Sequence, residues 1–287
     1  MTEPNITPLD ATFGAVVSGV ALDDLDDTAW RAIQDAFHRY ALLVFPGQNL
    51  TPEAQTAFAA RFGAIEEIVA GHRAVPISNR KADGTLMAPE DYGMKIMKGN
   101  EGWHTDSSYM SVSAKASCLQ AHVVPSEGGQ TEWADMRAAY DALDEAMRER
   151  IAALSAFHSL RHSQAKIGHE APAGSSYGMM DGTPPLRPLV KTHPVTGRKS
   201  LFIGRHAFGI PGLPEADSEQ LLGDLVAFAC RAPRIYRHEW QPGDVAIWDN
   251  RCLLHRARPF DIGEPRVMWH VRVSGDPVTE RALNRAA

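Results

Sequence analysis

The residues best able to do chemistry lie in Gly99-Asn100-Glu101-Gly102-Trp103-His104-Thr105-Asp106-Ser107-Ser108-Tyr109. Side chains two apart on an extended strand share a face, so His104 and Asp106 are predicted to offer an imidazole nitrogen and a carboxylate oxygen to one point. Two such donors invite a metal ion. A second histidine from a distant segment would complete a two-histidine, one-carboxylate set, which leaves coordination positions open in non-heme Fe(II) oxygenases. His255, in Trp248-Asp249-Asn250-Arg251-Cys252-Leu253-Leu254-His255, is taken as that ligand. His-x-Asp alone occurs on many surfaces without a metal, so the pair needs context. Trp103 and Trp248 are read as packing that orients the ligands. The pairs His158/His162 and His169/His206 are not taken as a second site, because most of the twelve histidines are expected at polar surface or loop positions.

The elements that must position these residues follow from apolar spacing. Residues 12–22 read as a strand interrupted by glycines, and Trp30, Ile33, Phe37 and Tyr40 recur at helical intervals. Ala41 to Phe45 is a short apolar strand ended by Pro46-Gly47. Thr51, Pro52 and Gly63 bracket a second helix carrying Phe58 and Phe62. Residues 64–98 lack a clear period and are predicted to be a lid or binding loop, as are residues 160–184. A strand over 117–124 and a Gly128-Gly129 turn lead to Trp133, and Met136, Ala139, Tyr140 and Leu143 mark a helix. Strands flanking Thr196-Gly197 form a hairpin. A helix is predicted over 217–230, then strands at 235–240, 244–249, 253–257 and 266–273. Short strands with helices gathered outside them predict a mainly β fold with peripheral helices, a double-stranded β-helix of the jelly-roll or cupin-like kind, in one domain over residues 1–287.

Composition narrows the partners. The net charge of -6 is spread along the chain without a basic block, so no nucleic-acid partner is expected. Without a charged-then-apolar leader or a run of 18 apolar residues, neither export nor a membrane span is expected, and the cytoplasm is the expected location. Cys118, Cys230 and Cys252 are too few and too widely spaced for a disulfide framework or a cysteine-based zinc site. A symmetric homo-oligomer is expected on general grounds.

Together these segments carry a resemblance. Leu43-Val44-Phe45-Pro46-Gly47-Gln48, Trp103 to Tyr109, Gly128-Gly129-Gln130-Thr131-Glu132, Arg198 to Gly204, Gly243 to Arg251 and Pro265 to His270 stand in an order and spacing similar to the taurine dioxygenase and 2,4-dichlorophenoxyacetate dioxygenase family of Fe(II)/2-oxoglutarate enzymes. Within it the chain looks most like the aryloxyalkanoate dioxygenases. The resemblance implies that His104, Asp106 and His255 bind Fe(II). It also implies that Arg266, eleven residues after His255, and Thr131 hold the distal carboxylate of 2-oxoglutarate, with Trp240 near this cosubstrate. An arginine suits that task because its fork meets a carboxylate with two parallel hydrogen bonds.

The implied reaction uses dioxygen to hydroxylate a small carboxylic acid next to its ether oxygen. Taurine-type enzymes carry an arginine fifteen residues after the distal histidine, where this chain has His270, which counts against a sulfonate. Lys95, Asn100, His270 and Arg272 are the candidates for contact with an anionic substrate, and Ile65, Ile68, Val69 and Met94 for the wall of an aryl pocket. A 2-aryloxypropionate of S configuration is the expected substrate. An alkylsulfonate substrate, a Zn²⁺ hydrolase and a non-catalytic cupin-like binding protein are the alternatives.

Overall fold

The structure, a computed structural model, describes residues 3–69, 71–170, 172–174 and 177–286. Its organising element is the strand Leu42–Phe45, all four residues of which are buried. The alternation of side chains explains why all four are apolar. Leu43 and Phe45 face one way, into a cluster with Ile33 and Phe37 of helix Asp27–Tyr40 and Phe58 of helix Pro52–Ala60. Leu42 and Val44 face the other way, toward Trp133, Trp248, Leu253 and Met268. Both helices begin where the sequence places them: the Asp26 carboxylate accepts from Thr28 N and Ala29 N, and the Thr51 hydroxyl accepts from Ala54 N.

Among the described residues the larger sheet has seven strands, in the order Asn5–Pro8, Ala15–Ser18, Leu42–Phe45, Val245–Asp249, Ala116–Val123, Val267–Val273 and Ala74–Ser78. A three-stranded sheet, Ile235–His238, Thr131–Asp135 and Leu253–Ala257, faces it across the core of Trp133, Trp240 and Trp248. On its outer side Ala134 and Leu254 pack against Leu221, Leu222 and Leu225 of helix Glu215–Ala229. Two facing, mostly antiparallel sheets with helices outside make the expected jelly roll. A fully buried Trp133 anchors both faces, and its truncation to alanine would cost about 3–5 kcal/mol.

Pairing registers carry the site. Trp133 lies opposite His255 and Thr131 opposite Ala257 in the small sheet, while Arg272 lies opposite Ser117 and His270 opposite Leu119 in the large one. Side chains that face the inter-sheet space from both walls therefore converge near one end of the roll.

Two predicted loops contain regular structure. Residues 64–98 include the edge strand Ala74–Ser78 and the helix Tyr92–Gly99, and residues 160–184 include the helix Leu160–Ala165. Pro76 masks the strand in the sequence, yet proline is tolerated on an edge, and this strand ends the sheet. Ala70, Ala171, Ser175 and Ser176 of those segments lie outside the described residues.

Candidate metal centre and its pocket

Strand Leu253–Ala257 sends Leu253 into the inter-sheet core and Leu254 to the outer helices, so His255 points inward with Leu253. His104 is tied directly to it: His104 N donates to His255 O at 2.9 Å and His255 N donates to His104 O at 2.8 Å. This reciprocal pair sets the two rings 4.2 Å apart. Gly102 O lies 2.8 Å from His104 Nδ1. A carbonyl can only accept, so Nδ1 carries the hydrogen and Nε2 is left with a lone pair. Burial lowers the pKa of His104 to about 4 and that of His255 well below its ordinary value, keeping both rings in the neutral form that binds metals.

The predicted extended strand through His104 and Asp106 is not what presents the carboxylate. Only His104 forms a bridge; the chain turns at Asp106, and Ser107 sits at φ 53° in the left-handed region. The three ligand atoms of His104, Asp106 and His255 nevertheless lie within 4.8 Å of one another. Asp106 is held from several sides. Ser117 Oγ donates to its Oδ2 at 2.6 Å, and Arg272 Nη2 donates to its Oδ1 at 2.9 Å. Burial alone would raise its pKa, but the Arg272 guanidinium beside it outweighs that and holds it well below the usual carboxylate range.

Asn250, quoted on sequence only as part of a motif, is the hub of this region. Its Oδ1 accepts from Trp248 Nε1 at 3.1 Å and from Thr105 Oγ1 at 3.3 Å, and its Nδ2 donates to Ser117 Oγ at 2.9 Å. It thus ties the His104–Asp106 segment to both strands that flank it. The sequence signal was its place directly after a buried strand, where a short amide side chain reaches backbone and neighbour alike.

Arg266 lines the inner cavity of about 50 Å³ together with the three donor residues. Its Nε and Nη2 both donate to Gly129 O, at 3.2 and 3.0 Å. Gly129 has φ 70°, and a Cβ there would sit 3.0 Å from Arg266 Nε, so glycine gives the arginine its room. Among the described residues no carboxylate lies within ion-pair distance of Arg266, and burial lowers its pKa to about 10. A buried cation with no counter-ion is costly unless an anion joins it. Thr131 borders the same cavity, and Trp240 Nε1 donates to Thr131 Oγ1 at 3.0 Å. That bond occupies an acceptor site of the hydroxyl and leaves its hydrogen free to donate. Trp240 itself borders a separate polar cleft, so it acts through Thr131.

An outer pocket of about 440 Å³ joins the inner one, sharing Ile77, Asn100, Ala257 and Arg266 with it. Lys95 and Met94 line the outer pocket. His270 and Arg272 line the inner one instead, and His270 Nε2 lies 3.5 Å from Asp106 Oδ2. The proposed aryl wall is corrected in part. Ile65 pairs with Val273 and packs against the helix-side core, and Val69 is 50% exposed. Ile68 lines neither pocket, whereas Ile77, Met97, Phe260 and Ile262 line the outer one. Pairing of an edge strand hidden by Pro76 brings Ile77 there.

The histidines were misjudged as solvated. Among the described residues seven of the twelve are buried: His104, His158, His169, His193, His206, His255 and His270. His206 Nδ1 lies 2.8 Å from Ser163 Oγ, and its ring is 5.7 Å from that of His104. Helix Leu160–Ala165 and the residues around His206 pack over the His104 edge, which no local periodicity reveals.

Two neutral imidazoles with one anionic carboxylate, beside an uncompensated arginine, fit a divalent metal with open positions and an anionic partner. The fold and this donor set define a jelly-roll metalloprotein of the oxygenase type. The chain belongs to the taurine catabolism dioxygenase TauD, TfdA family, whose profile matches residues 5–273. It is 58% identical to the (S)-phenoxypropionate/alpha-ketoglutarate-dioxygenase of Sphingobium herbicidovorans, over 97% of this chain and 98% of that one. It is 55% identical to the protein of the same name from Delftia acidovorans, over 98% of each. A crystal structure of AAD-2 in complex with Mn(II) and N-oxalylglycine is similar at TM-score 0.90 and 38% identity, covering 98% of this chain and 100% of the other.

Proposed function

We propose that the protein is an Fe(II)- and 2-oxoglutarate-dependent dioxygenase that hydroxylates an aryloxyalkanoic acid at the carbon bearing the ether oxygen. The hydroxylated carbon collapses to release a phenol and a keto or aldehyde acid, while 2-oxoglutarate becomes succinate and carbon dioxide. The observation that carries the reading is Arg266, buried and, among the described residues, without a carboxylate partner, next to a two-histidine, one-carboxylate cluster. A Zn²⁺ hydrolase would have no use for that cation, and a passive binding protein no use for the metal donors. The substrate class rests on the phenoxypropionate and phenoxyacetate enzymes among the relatives. The apolar outer pocket, with Lys95 on its wall, supports it.

His104, Asp106 and His255 would hold the iron. Bound iron, with 2-oxoglutarate and dioxygen, supplies the oxidising power. The chain's own part is placement. Arg266 and Thr131 would receive the distal carboxylate of 2-oxoglutarate, with Trp240 orienting the Thr131 hydroxyl. Lys95 and Asn100 stand where a substrate carboxylate can be gripped, and Ile77, Met94 and Phe260 offer the ring an apolar wall. Fixing a carboxylate and a ring leaves one enantiomer able to present its C–H inward, which supports enantioselectivity, and the choice of the S form rests on the relatives. The reading treats residues 1–287 as one catalytic domain in a cytoplasmic homo-oligomer. Among the described residues no helix is long and apolar enough to cross a membrane.

The test is phenol and succinate release from each enantiomer of a 2-aryloxypropionate, from an aryloxyacetate and from taurine. Phenol from the S enantiomer, dependent on Fe(II) and 2-oxoglutarate, is expected. Better coupling with taurine would move the substrate to the sulfonates, and turnover indifferent to 2-oxoglutarate would remove the reaction class.

A further inference from the structure

Arg272 was a candidate substrate anchor, but its surroundings give it other work. Its side chain is only 13% exposed and lines the inner pocket, not the outer one. Nη2 binds Asp106 Oδ1 at 2.9 Å, while Nη1 donates to Ser107 Oγ at 3.3 Å and to Tyr109 OH at 3.4 Å. The other carboxylate oxygen, Oδ2, lies 3.7 Å from His255 Nε2 and is steadied by Ser117 Oγ. One oxygen of Asp106 is thus held by arginine, and the other faces the histidines. A carboxylate so fixed can ligate through one oxygen only, which conserves coordination positions for other ligands.

The arginine is itself held. Glu66 N donates to Arg272 O at 2.9 Å, and the Glu66 carboxylate accepts from Ser107 Oγ at 2.8 Å and from Tyr177 OH. Tyr177 OH also lies 3.1 Å from Ser107 Oγ, and the Arg272 guanidinium sits 5.7 Å from the centre of the Tyr177 ring. Tyr177 belongs to the segment whose Ile167 and His169 line the outer pocket. The network therefore runs from Tyr177 and Glu66, through Ser107 and Arg272, to the carboxylate of Asp106.

We propose that Arg272 is a positioning residue that keeps Asp106 a one-oxygen ligand, and that Glu66 and Tyr177, through Ser107, hold Arg272 in register. This rests on the reading of His104, Asp106 and His255 as metal ligands. The experiment compares the wild-type protein with Arg272→Met, Arg272→Lys, Glu66→Gln and Tyr177→Phe. Each is titrated with Mn(II) under anaerobic conditions by calorimetry, and assayed for 2-oxoglutarate consumption with and without an aryloxypropionate. Arg272→Met should bind Mn(II) about tenfold to a hundredfold more weakly, the range for losing a partner of a metal ligand. It should also slow 2-oxoglutarate consumption equally with and without the aryloxy acid, leaving the KM for that acid little changed. Arg272→Lys should recover part of the loss, and Tyr177→Phe and Glu66→Gln should show smaller losses in the same direction. Wild-type Mn(II) affinity in Arg272→Met with a greatly raised KM for the aryloxy acid would make Arg272 a substrate anchor and overturn the proposal. If Arg272→Met does not fold, unchanged Mn(II) affinity in both Glu66→Gln and Tyr177→Phe overturns it. Failure of the wild-type protein to bind Mn(II) would overturn the metal reading first.

Discussion

Two buried clusters in this molecule combine histidine with aspartate, and they differ in what is left over. In the first, His104, Asp106 and His255 gather ligand atoms within 4.8 Å around a cavity. In the second, His193, Asp249 and Cys252 meet the same distance criterion. There, however, His193 Nδ1 accepts from Val195 N and Thr196 N, and its Nε2 donates to Asp249 Oδ2 at 3.0 Å. Arg251 holds both Asp249 oxygens, and burial pushes the Cys252 thiol far above its ordinary pKa. Every donor and acceptor of that set is spent inside the protein. The first cluster leaves imidazole lone pairs facing a cavity beside the Arg266 guanidinium, which among the described residues has no carboxylate partner. Proximity of ligand types does not make a metal site; unspent lone pairs do.

The largest effect expected separates the two clusters directly. Asp106→Ala should abolish Mn(II) binding in calorimetry and turnover with Fe(II), and because it strands the largely buried Arg272 guanidinium it should also cost about 3–5 kcal/mol of stability. Retained activity with added Fe(II) would erase the distinction. Asp249→Ala should cost stability alone. It strands the buried Arg251 guanidinium and the His193 N–H, at a cost of about 3–5 kcal/mol in a denaturant titration, while the folded fraction keeps its Mn(II) stoichiometry. Loss of Mn(II) binding by folded Asp249→Ala, without loss of stability, would mean that the second cluster binds the ion.

One side of this contrast was legible in the sequence: His104, Asp106 and His255 could be read as candidate ligands, whereas the set of His193, Asp249 and Cys252 could not. The apolar run before Pro46 encodes a strand buried on both faces, so the roll could be read, but the inward aim of His255 follows only from how Leu253 and Leu254 pack. The edge strand Ala74–Ser78 could not, since Pro76 erases its signal and only pairing with Val267–Val273 defines it. Buried histidines escaped for a related reason: burial of His158 and His206 depends on segments far away in the chain. Arg272 shows the limit most clearly. Its place on the strand put it near the site, but whether it faces substrate or Asp106 is fixed by Ser117 across the sheet and Glu66 some two hundred residues earlier.

Within the first cluster the cationic side is the next to test. Arg266→Lys keeps a positive charge but loses the fork that reaches Gly129 O and a carboxylate together. Hydrogen bonds to charged groups contribute about 1.5–3 kcal/mol, so the KM for 2-oxoglutarate should rise about tenfold to a hundredfold. Mn(II) affinity measured without 2-oxoglutarate should hold. Unchanged 2-oxoglutarate kinetics would remove Arg266 from the anion site.

The smallest effect expected is at Trp240, and it tests whether a residue outside the cavity acts on what happens inside it. Trp240 touches the site only through the indole N–H that donates to Thr131 Oγ1 at 3.0 Å. Trp240→Phe keeps an aromatic ring in the core beside Trp133 and removes that donor. The Thr131 hydroxyl is then free to turn, and its hydrogen is no longer committed to the cavity. One neutral hydrogen bond contributes about 0.5–1.5 kcal/mol, which corresponds to a rise of about two- to tenfold in the KM for 2-oxoglutarate. Since Thr131 meets only the cosubstrate in this reading, the KM for the aryloxy acid and the Mn(II) affinity should stay put. Thr131→Val should match Trp240→Phe in kind, and the double variant should be little worse than Thr131→Val alone, because both changes remove one interaction. Fully additive losses would show that Trp240 acts by packing alone.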